Sequence, residues 1–191
     1  DVTYDWRQEP DGSASVFVSE PLEQDLVLIG SASADLWVHS STGEADLGVT
    51  LSEVRPDGKE TYVQSGLLRA SQRKVAKGST ELLPLHTHLE DDAEPLPADE
   101  FVEARVEIFP FAHVIRAGSR IRLSVHTPGG DRARWTYILA EQPDGATFEV
   151  GHSASTPSRL ALPSVSGVTG YPSSVPSNCN ALRAQPCRDF K

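Results

Sequence analysis

The chain contains no methionine, only two cysteines and few aromatic residues, with Phe, Trp and Tyr together making 7% of 191 residues. Each shortage narrows the reading. No apolar stretch approaches the ~20 residues that a membrane-spanning helix needs, and no leader-like pattern opens the chain. Lys and Arg total 17 against 27 Asp and Glu, giving a net charge of −10. That balance lacks the basic face that binds nucleic acid and suits an anionic membrane surface equally badly. Methionine is missing even at position 1, so a processed protein or, better, a piece of a longer one is expected. The cysteines, Cys179 and Cys187, sit close together in the tail without a further Cys or His nearby. A short disulfide loop in an exported protein fits them better than a metal, a redox pair or free thiols. It would stabilise the tail alone, by roughly 2–3 kcal/mol on the loop-entropy model.

What the sequence does hold is alternation. In Arg120–His126, Ile121, Leu123 and Val125 point one way and Arg120, Arg122, Ser124 and His126 the other. A period of two predicts a strand buried on one face. Phe101–Ile108 alternates likewise, and Ala117-Gly118-Ser119 reads as a turn. The two runs are therefore predicted as a strand pair flanking a connection that begins at Pro110. Further strands are expected at 13–19 (with Ala14, Val16 and Val18 inward), 26–29, 32–39, 46–54, 60–65, 66–73, 135–139, 147–150 and 159–162. Arg55-Pro56-Asp57-Gly58-Lys59 is a hairpin turn signal. Residues 74–100 lose the alternation and read as a surface excursion; from Val165 the chain reads as a poorly packed tail. Many short strands with regular turn signals and no amphipathic helix predict one antiparallel β-sandwich, which jelly-roll and Greek-key topologies both satisfy.

Chemistry is sparse in this pattern. Gly151-His152-Ser153-Ala154-Ser155 is the nearest approach to a nucleophile elbow, yet it lacks the final glycine and any following helix. His86, His88 and Glu90, with Asp91 and Asp92, form a conceivable metal set, but an exposed acidic loop with incidental histidines is the favoured reading. Asp46 and Asp57 have no calcium-ligand spacing. No catalytic residue, metal or cofactor is therefore expected. Arg69, Arg73, Arg120 and Arg122 lie on strands and should pair with carboxylates such as Asp35, Asp46 or Glu107. Trp6, Trp37, Trp135, Tyr62 and Tyr137 could make a sugar-stacking platform. Trp37 falls on the face opposite Leu36 and Val38, which suggests rather a face covered by another domain or by residues 74–100.

With these residues laid out, four stretches together resemble the C-terminal domain of the Xaa-Pro dipeptidyl-peptidase and cocaine-esterase family of serine hydrolases. They are Pro21-Leu22 through Leu36-Trp37-Val38; Asp46 through Arg55-Pro56-Asp57-Gly58 to Gln72-Arg73; Pro110 through Leu123; and Pro157 through Pro163. The resemblance implies an all-β jelly-roll sandwich of the galactose-binding type over residues 1–165, followed by a Ser/Pro-rich tail, 166–191. It also implies a partner, an α/β-hydrolase domain of the same parent chain, which carries the Ser-His-Asp triad and acts on Xaa-Pro peptides or on other esters and amides. None of that triad maps here, and Gly118-Ser119 stands where the family has glycine-histidine. The cysteine-bearing tail resembles that of exported bacterial relatives, which implies a secreted or extracytoplasmic location. The expected role is accessory: to pack on the hydrolase domain and help shape its active-site entrance. Trp37, Arg120, Arg122, His126 and Trp135 are the candidate contact residues. A free-standing carbohydrate-binding sandwich and a processing-protease type of accessory sandwich are the alternatives.

Overall fold

The computed structural model describes residues 14–128, 137–172 and 186–190. Its strands are β1 (Ala14–Val18), β2 (Leu26–Ser40), β3 (Asp46–Val54), β4 (Lys59–Arg69), β5 (Val102–Ile115), β6 (Arg120–His126), β7 (Phe148–Gly151), β8 (Arg159–Ala161) and β9 (Arg188–Asp189). The helical content among the described residues is two single 3-10 turns, Ala70–Gln72 and Glu90–Asp92. One antiparallel sheet runs in the order β1-β6-β3-β4-β9, the other β5-β2-β7, with β8 also pairing with β2. The pairings are nested: β3 with β4, β2 with β5 outside it, and β1 with β6 outside both. A long hairpin rolled up in this way is a jelly roll.

The core lies between the sheets. Ala32, Ala34, Leu36 and Val38 of β2 and Ala104, Val106 and Ile108 of β5 meet Leu47, Val49 and Leu51 of β3 and Leu123 and Val125 of β6. These are the inward sets that the alternation predicts for β2, β3, β5 and β6. At one edge the sheets nearly touch. A Cβ built on Gly66 of β4 would stand 1.7 Å from the Glu107 carbonyl oxygen on β5. Only a residue without a side chain lets the two backbones pass.

Several expectations are corrected. β5 and β6 are not a pair, since they belong to opposite sheets. Nor does a connection begin at Pro110, because β5 continues through it to Ile115. The register jumps from Gly30↔Phe111 to Ala32↔Ile108, so Phe109 and Pro110 of β5 together stand opposite the single residue Ser31 and form a bulge, where a proline's missing N–H breaks no ladder. Gly30, at φ +133°, faces that bulge at the point where the register shifts, and 26–40 runs as one strand instead of two. Likewise 59–69 is one strand across Gly66.

The inward face of β1 is also reversed. Val16 and Val18 are 43% and 41% exposed, and Phe17 packs on the core. Residues directly paired in an antiparallel ladder share a face. Phe17 pairs with Leu123, which faces the core, whereas Val16 and Val18 pair with Ser124 and Arg122. One aromatic ring brings more apolar area inward than the valines it displaces.

Residues 137–140 form no strand. The excursion at 74–100 returns to the interior, burying Pro84 and Leu96. The tail is not wholly unpacked either, because β9 pairs with the start of β4 through Lys59↔Asp189 and Glu60↔Arg188.

Candidate functional site

The contact residues expected from the sequence do not gather in one place. Arg120, Arg122 and His126 alternate along β6, on the outer face of its sheet. Trp37 lies on the outer face of the other sheet. Trp135 lies outside the described residues, as do Trp6 and Cys179.

The outer face around Trp37 is covered by the chain itself. Ser33 and Asp35, which alternate with Trp37 along β2, are 0% and 2% exposed. Arg105 donates from Nε to Asp35 Oδ1 at 2.9 Å and from Nη2 to the carbonyls of Thr80 and Glu81, at 2.9 and 2.8 Å. Arg159 of β8 closes on the other Asp35 oxygen at 2.9 Å and reaches Glu81 Oε1 at 2.8 Å. Asp35 thus bolts residues 80–81 and β8 onto the sheet. Trp37 remains half-buried beside this lid, its backbone N–H donated to Ser158 Oγ at 2.8 Å. Of the two covers expected for this face, residues 74–100 supply one.

On the other sheet the expected outward set is split by burial. Arg122 is 6% exposed and donates from Nη1 to Glu60 Oε1 at 3.1 Å. Glu60 is itself 1% exposed. It also accepts Ser52 Oγ at 2.5 Å and both Nε and Nη2 of Arg188, at 2.6 and 3.0 Å. A buried carboxylate held between two arginines compensates the desolvation of all three charges. Arg122 therefore lies on the outer face of its sheet as expected, but buried against an engaged acid and not available to a partner. Arg120 stays half-buried at the rim, donating to the Ser19 carbonyl at 2.9 Å with Glu20 at 3.6 Å. Arg69 meets Asp46 bidentately, at 2.8 and 3.2 Å, as its strand position led us to expect, and Arg73 pairs with Glu94 at 2.8 Å.

His126 ends β6 beside a cleft of about 400 Å³ whose lining includes Val38, His39, Leu47, Val125 and Glu149. Its Nε2 lies 2.9 Å from Thr50 Oγ1 and its Nδ1 2.7 Å from the Thr127 carbonyl. A hydroxyl at this distance from an imidazole has the spacing of a nucleophile and its base. Two facts remove that role. Thr50 is 4% exposed, and a peptide carbonyl rather than a carboxylate orients the ring.

The Ser153 loop fails in a different way. Its Oγ lies 2.9 Å from both Ser155 Oγ and Thr156 Oγ1, and the His152 ring turns to Phe17, with ring centroids 6.2 Å apart.

A buried titratable pair that no motif signalled also joins the sheets. His113 of β5 meets Glu53 of β3, Nε2 to Oε2, at 2.7 Å, and the Arg116 N–H reaches Glu53 Oε1 at 3.1 Å. Burial pushes the Glu53 pKa up, but these hydrogen bonds outweigh it and hold the carboxyl below its ordinary value. Next to it the Ala117 N–H, and then Arg116, hold the Asp25 carboxyl low. The pair joins the two sheets. Like Glu60–Arg188, it links residues far apart in sequence, so no local pattern announces it.

His86 and His88 come together with ring centroids 5.7 Å apart. The acids singled out in the sequence are engaged elsewhere: Asp92 with Lys74, Asp46 with Arg69, and Asp57 with Arg55. Among the described residues no group of three or more His, Cys, Asp or Glu is placed to hold a metal ion, and no helix is long and apolar enough to cross a membrane.

Residues 2–146 match the family model of the X-Pro dipeptidyl-peptidase C-terminal non-catalytic domain. Two mycobacterial proteins named as serine esterases, from Mycobacterium bovis and Mycobacterium tuberculosis, are each 27% identical over 165 residues. The match covers 85% of this chain but 26% of either relative, so the chain spans about a quarter of their length. A CocE/NonD family hydrolase from Staphylococcus aureus superposes with a TM-score of 0.64 at 21% identity, covering 85% of this chain and 32% of that one. An aminopeptidase from a marine-sediment thaumarchaeon gives 0.62 at 22%, covering 86% and 28%. An α-amino acid ester hydrolase gives 0.59 at 22%, covering 81% and 26%. At these identities the structural likeness concerns the fold.

Proposed function

Because this chain belongs to the family of C-terminal non-catalytic domains of X-Pro dipeptidyl-peptidases, we propose that it is the accessory sandwich of a larger serine hydrolase. In this reading it packs on an α/β-hydrolase domain of the same parent chain and helps to shape the entrance to that domain's active site. The parent acts on Xaa-Pro peptides or on acyl esters and amides. One observation carries the reading: the family match spans most of the chain, while both histidine–hydroxyl neighbourhoods described above lack what a nucleophile needs.

The surface we assign to the catalytic domain is the outer rim of β1 and β6. There Val16 and Val18 leave apolar side chains exposed, with Arg120 and His126 as their polar neighbours. Apolar side chains on an edge strand favour a covering partner. We further read the sandwich as galactose-binding in type and the parent as exported, with Cys179 joined to Cys187. Cys187 lies beside β4, its Sγ 3.5 Å from Thr61 Oγ1.

The test has two arms. The isolated domain, assayed with Xaa-Pro anilides and simple esters, should show no turnover, and measurable turnover overturns the reading. In the parent protein, a Val16→Glu, Val18→Glu double variant should lower kcat/KM by weakening domain contact while leaving the sandwich folded. Unchanged kinetics would refute the assigned surface.

A further inference from the structure

We propose that His86 and His88 form a binding site for a divalent transition-metal ion of the zinc and nickel class. Three features of the structure support this site.

The first is spacing. With metal–nitrogen bonds of about 2.0–2.1 Å, two imidazoles on one tetrahedral ion place their ring centroids roughly 5.3 Å apart. The observed separation is 5.7 Å, with the rings tilted by 53°. Small rotations of the two side chains close that difference.

The second is an unused lone pair. The His86 ring has a hydrogen-bond contact with the Arg105 backbone, yet its Nε2 is buried and has no partner. A buried imidazole nitrogen left in this way costs free energy unless something accepts its lone pair. Binding one ring nitrogen to a backbone group while the other stays open is how histidine ligands are oriented on metals. A second buried acceptor without a partner, Gln72 Oε1, ends the 3-10 turn that precedes a short ladder. That ladder is formed by the Val75↔His86 bridge and the Thr87 N–H to Lys74 carbonyl bond. Gln72 and His88 also line one hollow of about 190 Å³.

The third is backbone geometry. His88 is the one residue other than glycine with positive φ among the described residues, at +49°. That conformation is costly for a residue with a side chain, and it is the one in which the two imidazoles stand together.

The soft-to-borderline character follows from the ligands. Two neutral imidazoles suit zinc, nickel or copper and give little hold on calcium or magnesium, which prefer oxygen.

Isothermal titration with Zn2+, repeated with Ni2+, tests the site. The unmodified chain should bind one ion and melt at a higher temperature when it is saturated. His88→Asn removes an imidazole while keeping a residue that tolerates the left-handed conformation, and should weaken binding by more than about tenfold. His86→Ala should do the same, and the exposed His152→Ala should change nothing. If His86→Ala does not fold, His88→Asn alone decides. Failure to bind one ion, or equal affinity in His88→Asn, overturns the proposal.

Discussion

Gly66→Ala offers the sharpest test of how the sandwich closes. The added Cβ would stand 1.7 Å from the Glu107 carbonyl oxygen, 2.7 Å from its carbon and 3.2 Å from the Ile108 Cα. All three atoms belong to the backbone of the opposite sheet, so no side-chain rotation relieves the contact. Ordinary contact between carbon and oxygen requires β4 and β5 to separate by about 1.5 Å. That opening would loosen Ile108, Val106 and Val63, each no more than 1% exposed. Overpacking a well-filled core costs typically 1–3 kcal/mol, and a clash against rigid backbone belongs at the upper end, about 3 kcal/mol. At this chain length each kcal/mol lowers Tm by about 2–4 °C, so a loss of roughly 6–12 °C is expected. Urea unfolding followed by tryptophan fluorescence gives the free energy directly. A loss below about 1 kcal/mol with an unchanged m-value would refute the close approach of the two sheets.

Three further outcomes follow from the charged groups. Glu60→Ala leaves Arg122 and Arg188 facing each other inside the protein and should cost about 3–5 kcal/mol. Arg188→Ala, which leaves Ser52 and Arg122 on the carboxylate, should cost less, about 1–3 kcal/mol; equal losses in chemical denaturation would contradict the cluster. Glu53 has a pKa lower in the folded than in the unfolded chain. Its stabilisation is therefore fully present above the unfolded value near 4.5 and disappears as pH falls through the folded one. Glu53→Gln should accordingly be less stable at neutral pH and show a shallower acid limb in stability measured from pH 7 to pH 3, whereas a parallel curve would count against the pair. Under non-reducing conditions Cys179 and Cys187 should resist alkylation and become reactive after reduction, as mass spectrometry of the intact chain would show.

Much of the architecture was legible because burial writes a period of two into strands. The inward sets of β2, β3, β5 and β6 appear in the alternation, and the hairpin turn at 55–59 in its Pro-Asp-Gly. The errors have a common origin. Gly30, Gly66 and Pro110 read as breaks, but each is accommodated by tertiary structure that the local sequence does not show: a register shift with its bulge, or a backbone crossing from the opposite sheet. The face of β1 was reversed because the register with β6 decides it, not the count of apolar side chains. Arg122 looked solvent-facing for the same reason. Its carboxylate lies on β4, and the second arginine on that carboxylate arrives from β9, 128 residues further along the chain from Glu60. The candidate site was the least legible part, since a contact surface leaves no spacing rule, and the two residues of the His86–His88 pair look like incidental loop polarity until their rings are placed.

The nested strand pairing also sets an order of assembly. β3 and β4 are joined by a four-residue turn and can meet early, whereas β1 must find β6 more than a hundred residues away. Loop-closure entropy makes the outermost pair the last to form and the whole roll slow to complete. Until β6 is synthesised and docked, β1 lacks its partner and β3 one of its two. A ribosome that stalls before Arg120 therefore releases a chain with open, apolar edges that invite aggregation.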